Sequence, residues 1–213
     1  MPDTDTAGVV LGARHYRHRS WRSALYPDNL PAEWRFLFYS HRHTGLLMPY
    51  SLKDASREAL ALWQEESPPG FRMVLEIGVA DLEWFAQRPV PRPFVGACVV
   101  RGARLDEAHL PDLAGLAARL PVAVDVRSCA PALARELAAR GIGRCGRPAQ
   151  NRPPTGPAAV SLIASPSRPL IGQALTALWA APAESRYLFF CEAASALRAL
   201  ADARVLAGFI NPS

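Results

Sequence analysis

Short apolar runs rich in β-branched and aromatic residues recur along the chain and alternate with segments of helical periodicity. Each run has the length of a strand and is bounded by Gly, Pro or charged residues. The pattern predicts eight strands, at Gly8–Ala13, Thr44–Tyr50, Phe71–Gly78, Phe94–Val100, Pro121–Arg127, Ile142–Gly146, Ala158–Ala164 and Arg186–Glu192. Between them it predicts helices at Pro31–Arg42, Ser56–Glu66, Asp81–Gln87, Glu107–Leu120, Ala130–Arg140, Ser167–Ala181 and Ala193–Gly208.

This alternation of strand and helix predicts a parallel sheet, and eight units favour an α/β fold closed into one TIM-like (β/α)8 barrel. An open doubly wound sheet is the alternative. The third helix is short and Arg147–Gly156 predicts a loop in place of a helix, so we expect irregular geometry around units three and six. A length of 213 residues is small for such a barrel, and we predict a single domain over residues 1–213.

Composition and charge narrow the function classes only modestly. The formal net charge is +5, but the basic residues are spread along the chain, which is weak support for a nucleic-acid partner. No run of eighteen apolar residues predicts a membrane span, and the acidic amino terminus does not resemble a signal peptide. We therefore predict a cytoplasmic protein without a membrane partner; the oligomeric state stays open.

Cofactor signals are weak. The first strand is followed by Gly12-Ala13-Arg14-His15 and lacks the G-x-G-x-x-G pattern of a dinucleotide site. The four cysteines form no C-x-x-C pair, which favours reduced, buried thiols over zinc binding or redox chemistry. His15 and His18 have no further ligand at metal-binding spacing. We expect no cofactor and no metal.

Charged residues occur on strand faces that should point into the barrel. In strand five, Val122, Val124 and Val126 share one face, while Asp125 and Arg127 share the other. Glu76 in strand three and Arg14 at the end of strand one have the corresponding inward parity. Because isolated buried charges are very costly, we predict that these four charged residues form one ionic network at the carboxyl ends of the strands.

Two interpretations of this network remain open. It is either a site for an anionic ligand, with arginines as bidentate clamps, or a set of salt bridges that only fixes strand register. In the first case Arg14, His15 and Arg127 would bind charge, and Glu76 or Asp125 would act as general base.

The loop after strand one, from Arg14 to Arg22, mixes basic and aromatic residues and is the second candidate. Within it, His15, His18 and Trp21 could contact phosphates or stack on rings, although a solvated loop is the alternative. Tyr50 and Glu192 end strands two and eight at the same mouth and join the candidate ligand contacts. We expect the remaining tryptophans, Trp34, Trp63, Trp84 and Trp179, to pack between helices and barrel.

Four segments, in order along the chain, carry a family resemblance. Trp21–Pro31 is similar to W-x-x-x-F-Y-P-x-x-L-P, and Trp63–Met73 to W-x-x-x-x-P-x-G-F-R-F. Ala123–Ser128 is similar to an A-V-E-F-R-H strand, with a weaker match at Tyr187–Phe190. The chain thus resembles the YecE-like family, a domain of unknown function whose members look like TIM barrels.

The polar residues at the mouth depart from that resemblance. The family's T-S-G-W after strand one is Ala13–Tyr16 here, and its lysine at the end of strand three is replaced by Glu76. Its histidine after strand five is Ser128, and its strand-eight asparagines are Cys191 and Glu192. We therefore predict either a barrel enzyme acting on a phosphate-bearing or anionic ligand, or a divergent non-catalytic barrel that binds a ligand or a protein partner.

Overall fold

The computed structural model describes residues 8–21, 24–50, 57–87 and 94–210. These residues form one parallel sheet of eight strands, in the order β6-β5-β4-β3-β2-β1-β8-β7. The strands are β1 (Val9–Arg14), β2 (Gly45–Pro49), β3 (Arg72–Gly78), β4 (Val95–Arg104), β5 (Val122–Ser128), β6 (Gly143–Arg144), β7 (Ala158–Ile163) and β8 (Ser185–Phe190). Each one overlaps a strand predicted from the sequence.

A single parallel bridge closes the sheet into a barrel. It joins Gly146, just after β6, to Ser161 in β7. The Gly146 N–H donates to the carbonyl of Val160 at 2.7 Å, and Leu162 N–H donates to the Gly146 carbonyl at 3.0 Å. The fold is therefore the predicted TIM-like α/β barrel, and the open doubly wound alternative is wrong.

Seven α-helices in the described segments cover the outside of the barrel. They are α1 (Arg35–Ser40), α2 (Arg57–Glu66), α3 (Leu82–Ala86), α4 (Leu110–Ala117), α5 (Pro131–Ala139), α6 (Arg168–Ala180) and α7 (Ala193–Ile210). Each lies within or overlaps a predicted helix. None of the described helices is both long enough and apolar enough to cross a bilayer.

Unit six is irregular, as predicted. Strand β6 has two residues, and the chain after it forms a 3-10 turn at Pro148–Gln150 where an α-helix would be expected. It then runs beside β6, where Thr155 N–H donates to the Arg144 carbonyl at 3.0 Å and the Thr155 hydroxyl accepts from Arg144 N–H at 3.0 Å. Glycines at 143 and 156 permit this approach, because a Cβ on either would overlap the facing backbone. Unit three is short as well, with the five residues of α3.

Side chains of alternate parity form two apolar layers. The inner layer fills the barrel and consists of Leu47, Val74, Ala97, Val99, Ala123, Cys145, Ala158, Val160, Leu162, Tyr187 and Phe189. The outer layer packs between strands and helices and contains Val122, Val124 and Val126 of β5. The predicted alternation of β5 is therefore confirmed, and the residue after Ala123 on the inner face is Asp125.

Aromatic residues join β1 and β2 to the helices. The Tyr39 hydroxyl accepts from Ala13 N–H at 3.0 Å and donates to the Gly45 carbonyl at 2.9 Å. Trp63 stacks on Phe36 with the ring centroids 5.0 Å apart. Of the tryptophans predicted to pack, Trp34 is the exception: 59% of it is exposed, because it precedes α1 on the outer surface of the barrel.

Candidate functional site

A layer of charged side chains lies directly above the inner apolar layer, at the carboxyl ends of the strands. Arg14 ends β1, Glu76 lies in β3, Arg101 in β4 and Asp125 in β5. All four continue the inward parity of apolar residues below them, since Val10, Val74, Val99 and Ala123 belong to the inner layer or pack against it. Loops at this end of a TIM-like barrel converge on one mouth, which is where barrel enzymes place their sites.

Glu76 forms the first half of this charged layer. Arg14 binds its carboxylate in bidentate fashion, with Nε 2.9 Å from Oε2 and Nη2 2.8 Å from Oε1. Arg101 Nη1 donates to the same Oε1 at 3.3 Å. Glu76 is buried, and its hydrogen bond is the main cause that raises the pKa of Arg14 above its usual value. Arg14 and Glu76 therefore form a firmly paired unit.

Asp125 forms the second half. Arg147 donates Nε to Oδ1 at 3.1 Å and also contacts Oδ2 through Nη2. Arg152 donates Nη2 to Oδ1 at 3.1 Å and Nη1 to the carbonyl of Val126 at 3.3 Å. Arg101 approaches Asp125 from β4, with Nε 3.8 Å from Oδ2. Burial is the largest single influence on Arg147 and works against its protonation, but the hydrogen bond and the negative charge of Asp125 act together to raise the pKa of Arg147.

The two arginines opposite Asp125 stand at the two ends of a short closed turn. Arg147 N–H donates to the Arg152 carbonyl at 2.7 Å, and Arg152 N–H donates back at 3.2 Å. Asn151 adopts a left-handed conformation with φ of 51° inside the turn, and its side-chain oxygen accepts from Gln173 of α6 at 3.3 Å. This backbone closure holds both guanidinium groups on the same side of the turn before any ligand arrives.

A cleft opens beside the Asp125 half of the layer. Its volume is about 770 Å³, and its lining includes Arg101, Asp125, Arg147, Gln150 and Arg152. Cavities of roughly 300 to 1,000 Å³ are typical of small-molecule sites. The Nε of Arg152 is buried and meets no acceptor within the part of the chain that the structure describes. The cleft therefore has a wall of nitrogen donors.

Positive charge exceeds negative charge in this layer. Among the described side chains it contains four guanidinium groups and two carboxylates. Cys191, next to the inner layer at the end of β8, does not supply the missing negative charge, because burial raises the pKa of its thiol despite the nearby Arg147. Among the described side chains, this layer thus carries more positive than negative charge.

The structure brings three of the four residues of the predicted network together: Arg14, Glu76 and Asp125. The fourth, Arg127, lies in β5, but its side chain is outside the described residues. Its ligand-binding role stays a prediction.

His15 and His18 follow β1 at the mouth, outside the salt-bridge layer. His15 has a left-handed backbone with φ of 67°, and its Nδ1 accepts from Arg17 N–H at 2.8 Å. His18 is exposed, and its Nδ1 lies 2.7 Å from the Ser20 hydroxyl. Both stay predictions as ligand contacts.

Trp21 and Tyr50 pack in the outer apolar layer, whereas Glu192 follows β8 at the carboxyl end of the barrel, where the sequence placed it. Trp21 is 1% exposed, stacks on Tyr39 and donates Nε1–H to the Ala193 carbonyl at 2.6 Å, so it is part of the aromatic packing. Tyr50 packs edge-on against Phe85 in the outer layer because it has the parity of Met48 rather than that of Leu47. Glu192 is exposed at the start of α7, where it accepts from the Ser195 hydroxyl at 3.1 Å.

Sequence reasoning missed Arg101, Arg147 and Arg152. Arg101 could have been found, because it continues the inward parity of Ala97 and Val99. The predicted strand ended at Val100, whereas β4 runs on to Arg104 and pairs there with Ser128 of β5. Arg147 and Arg152 lie in the predicted loop, where no strand parity indicates direction.

Within the described residues, no group of three His, Cys, Asp or Glu side chains is arranged to hold a metal ion.

Comparison with known proteins identifies a relative at the level of fold. No protein-family model matches the chain, and no curated protein matches it in sequence. Two crystal structures of a DUF72 family protein from Enterococcus faecalis do match. One has a TM-score of 0.66 at 12% identity and covers 93% of this chain and 97% of the other; the second has a TM-score of 0.63, also at 12% identity, and covers 96% and 98%. The resemblance stated from the sequence motifs, to this same domain of unknown function, is confirmed as a structural match over nearly the full chain.

Proposed function

We propose that this barrel binds a small anionic, phosphate-bearing ligand in the cleft at its carboxyl-terminal mouth. The observation that carries the proposal is the excess of guanidinium groups over carboxylates around that cleft. Partly buried positive charges that their own partners do not neutralise are costly, and a bound anion removes that cost. Arginine suits the task because its planar fork binds phosphate oxygens in pairs.

The closed turn supports the proposal. A salt-bridge cluster that only fixed strand register would need one cation per carboxylate, and Arg14 already serves Glu76 while Arg147 already serves Asp125. Arg152 is an additional charge, held by the same turn and 19% exposed at the edge of the cleft. Preorganised donors of this kind reduce the entropy cost of binding.

Each carboxylate of the charged layer is engaged by two arginines, an arrangement suited to orienting those arginines. Glu76 is bound by Arg14 and Arg101, and Asp125 by Arg147 and Arg152. This engagement favours a binding barrel over an enzyme as the form of the proposal.

Thermal unfolding of the full chain with added ligands tests the proposal. The panel contains inorganic phosphate, a sugar phosphate, a nucleotide, a short single-stranded DNA and, as a neutral control, the free sugar. A ligand at one hundred times its dissociation constant adds about 2.7 kcal/mol, which raises the Tm of a chain of this size by roughly 5 to 10 °C. We expect the small phosphates to stabilise the protein and the free sugar to have no effect.

Variants locate the binding. Arg152→Gln should abolish most of the stabilisation, whereas Arg135→Gln, which removes the same charge from an exposed position on α5, should retain it. Equal stabilisation of both variants would place the anion elsewhere and refute the proposal. Stabilisation by DNA alone would replace the small ligand with a nucleic acid.

A further inference from the structure

The four arginines of the mouth are not held equally. Arg14 makes three hydrogen bonds to Glu76, and Arg147 and Arg152 bind Asp125 from the closed turn. Arg101 makes one contact of 3.3 Å to Glu76 and a longer approach of 3.8 Å to Asp125. Its side chain is 46% exposed, against 17% for Arg147. Arg101 therefore gives up the weakest contacts within the protein when its guanidinium group turns toward a ligand.

Arg101 also stands between the two carboxylates. Its strand neighbour on one side is Gly78 of β3, two residues beyond Glu76, and on the other side it is Asp125 itself. It forms the β4 wall of the cleft, with Arg147 and Arg152 on the far side of Asp125. An anion in the cleft would meet Arg101 from one side and the closed turn from the other.

The described side chains around the cleft carry two more positive charges than negative charges. Arg14 neutralises Glu76, which leaves Arg101, Arg147 and Arg152 around the single carboxylate of Asp125. The thiols inside the barrel do not reduce this charge, because burial raises the pKa of both Cys145 and Cys191. A ligand with two negative charges balances the described side chains of the cleft, whereas one with a single charge does not.

We propose that the cleft selects dianions, the class to which phosphate monoesters belong, over monoanions, and that Arg101 is the residue that makes this selection. The inference rests on the proposed function and names its ligand class. A phosphate monoester has a second pKa near 6 and presents three terminal oxygens, so above neutral pH it offers both the charge and the acceptors that three arginines require. A phosphodiester carries one charge and has two such oxygens. The cleft volume of about 770 Å³ leaves room for the organic group of the monoester.

Calorimetric titration of the full chain at pH 8 with methyl phosphate and dimethyl phosphate tests the inference. The two compounds differ by one methyl group and one charge. A hydrogen bond to a charged group is worth enough to change affinity about tenfold or more, so we expect wild type to prefer methyl phosphate by at least that factor. Arg101→Gln should bring the preference close to one and leave the affinity for dimethyl phosphate nearly unchanged, because Arg147 and Arg152 remain.

Two control variants distinguish selection of dianions by Arg101 from a general effect of losing one positive charge. Arg104→Gln removes the same charge from an exposed position on the same strand, outside the lining of the cleft, and should keep the full preference. Arg101→Lys keeps the charge and should keep a preference for methyl phosphate. Equal loss in Arg104→Gln and Arg101→Gln would overturn the role of Arg101.

The outcomes also separate the two proposals. Equal affinity of wild type for both compounds would overturn the selection of dianions and leave anion binding intact. If neither compound bound at millimolar concentration, the proposed function itself would fall.

Discussion

Two polar clusters, each with a buried side chain at its centre, lie at opposite ends of the barrel, and they differ in how the charge of their members is balanced. At the amino end, Arg204 of α7 donates Nη2 to the Arg42 carbonyl at 2.6 Å and lies 3.0 Å from Nδ1 of His43. Burial and the adjacent arginines lower the pKa of His43 to about 3, so that ring is neutral at physiological pH. At the carboxyl end, arginines bind buried carboxylates and outnumber them.

The difference distinguishes a structural cluster from the binding site that we propose at the mouth. The buried member of the amino-end cluster, His43, is neutral, and its charged partner Arg204 is exposed to water, which limits the cost of burying the cluster. Tyr39 belongs to this cluster, since its ring lies 4.6 Å from that of His43 and its hydroxyl bonds the backbones of β1 and β2. The mouth retains charge that its own described side chains do not neutralise, which is expected where a ligand completes the balance.

The largest expected effect is at the mouth. Asp125→Asn removes the carboxylate that holds Arg147 and Arg152, and breaking a buried ion pair in this way should lower the free energy of unfolding by about 3 kcal/mol or more. Phosphate should then raise the urea midpoint of the variant more than that of wild type, because the ligand no longer competes with Asp125 for the arginines. If phosphate stabilised the variant less than wild type, the result would contradict the view that phosphate and Asp125 bind the same arginines.

The second effect is at the amino end. Tyr39→Phe leaves the Ala13 N–H and the Gly45 carbonyl without their hydroxyl partner, and the free energy of unfolding should fall by about 2 kcal/mol. Urea unfolding gives this value. Binding of methyl phosphate should be unchanged in the folded variant, and a weakened affinity would show that the two ends are coupled.

The third and smallest effect is pH-dependent. Because the unfolded chain protonates His43 near pH 6.5 while the folded chain resists until about pH 3, stability due to this residue falls as pH falls below 6.5. Between pH 6.5 and 5.5 wild type should lose about 1 kcal/mol more than His43→Asn in the free energy of unfolding, as measured with urea. If the free energy of unfolding fell equally in the two proteins, His43 would take up its proton in the folded state over the same pH range as in the unfolded chain.

Strand periodicity explains which parts of the barrel were predictable. Val122, Val124 and Val126 define the outward face of β5, and that alone directs Asp125 inward. The same parity argument correctly predicted that the side chains of Glu76 and Arg14 point into the barrel. The prediction for Tyr50 used its position at the end of β2 instead of its parity with Met48, which directs it to the outer layer.

Other site residues depend on contacts distant in sequence. Arg147 and Arg152 face Asp125 because backbone bonds close the turn between them and because β6 pairs with β5. Neither condition leaves a periodic pattern, so the sequence indicated only a loop. The basic neighbours of Trp21 in the sequence indicated a residue at the mouth. Its stacking on Tyr39 depends instead on α1 lying against β1, which the sequence around Trp21 does not indicate.

The bridge between Gly146 and Ser161 has a consequence for dynamics. Most neighbouring strands share ladders of three or more paired positions, such as the six of β7 and β8, whereas β5 and β6 share two and the described residues of this seam form two hydrogen bonds. Amide exchange by local opening should therefore be fastest around β6, both along the seam and at its short ladder with β5. Every described arginine and carboxylate of the charged layer lies on the arc from β1 to the turn after β6, on one side of that seam. Local opening of the seam by itself therefore breaks none of the ion pairs described for the charged layer.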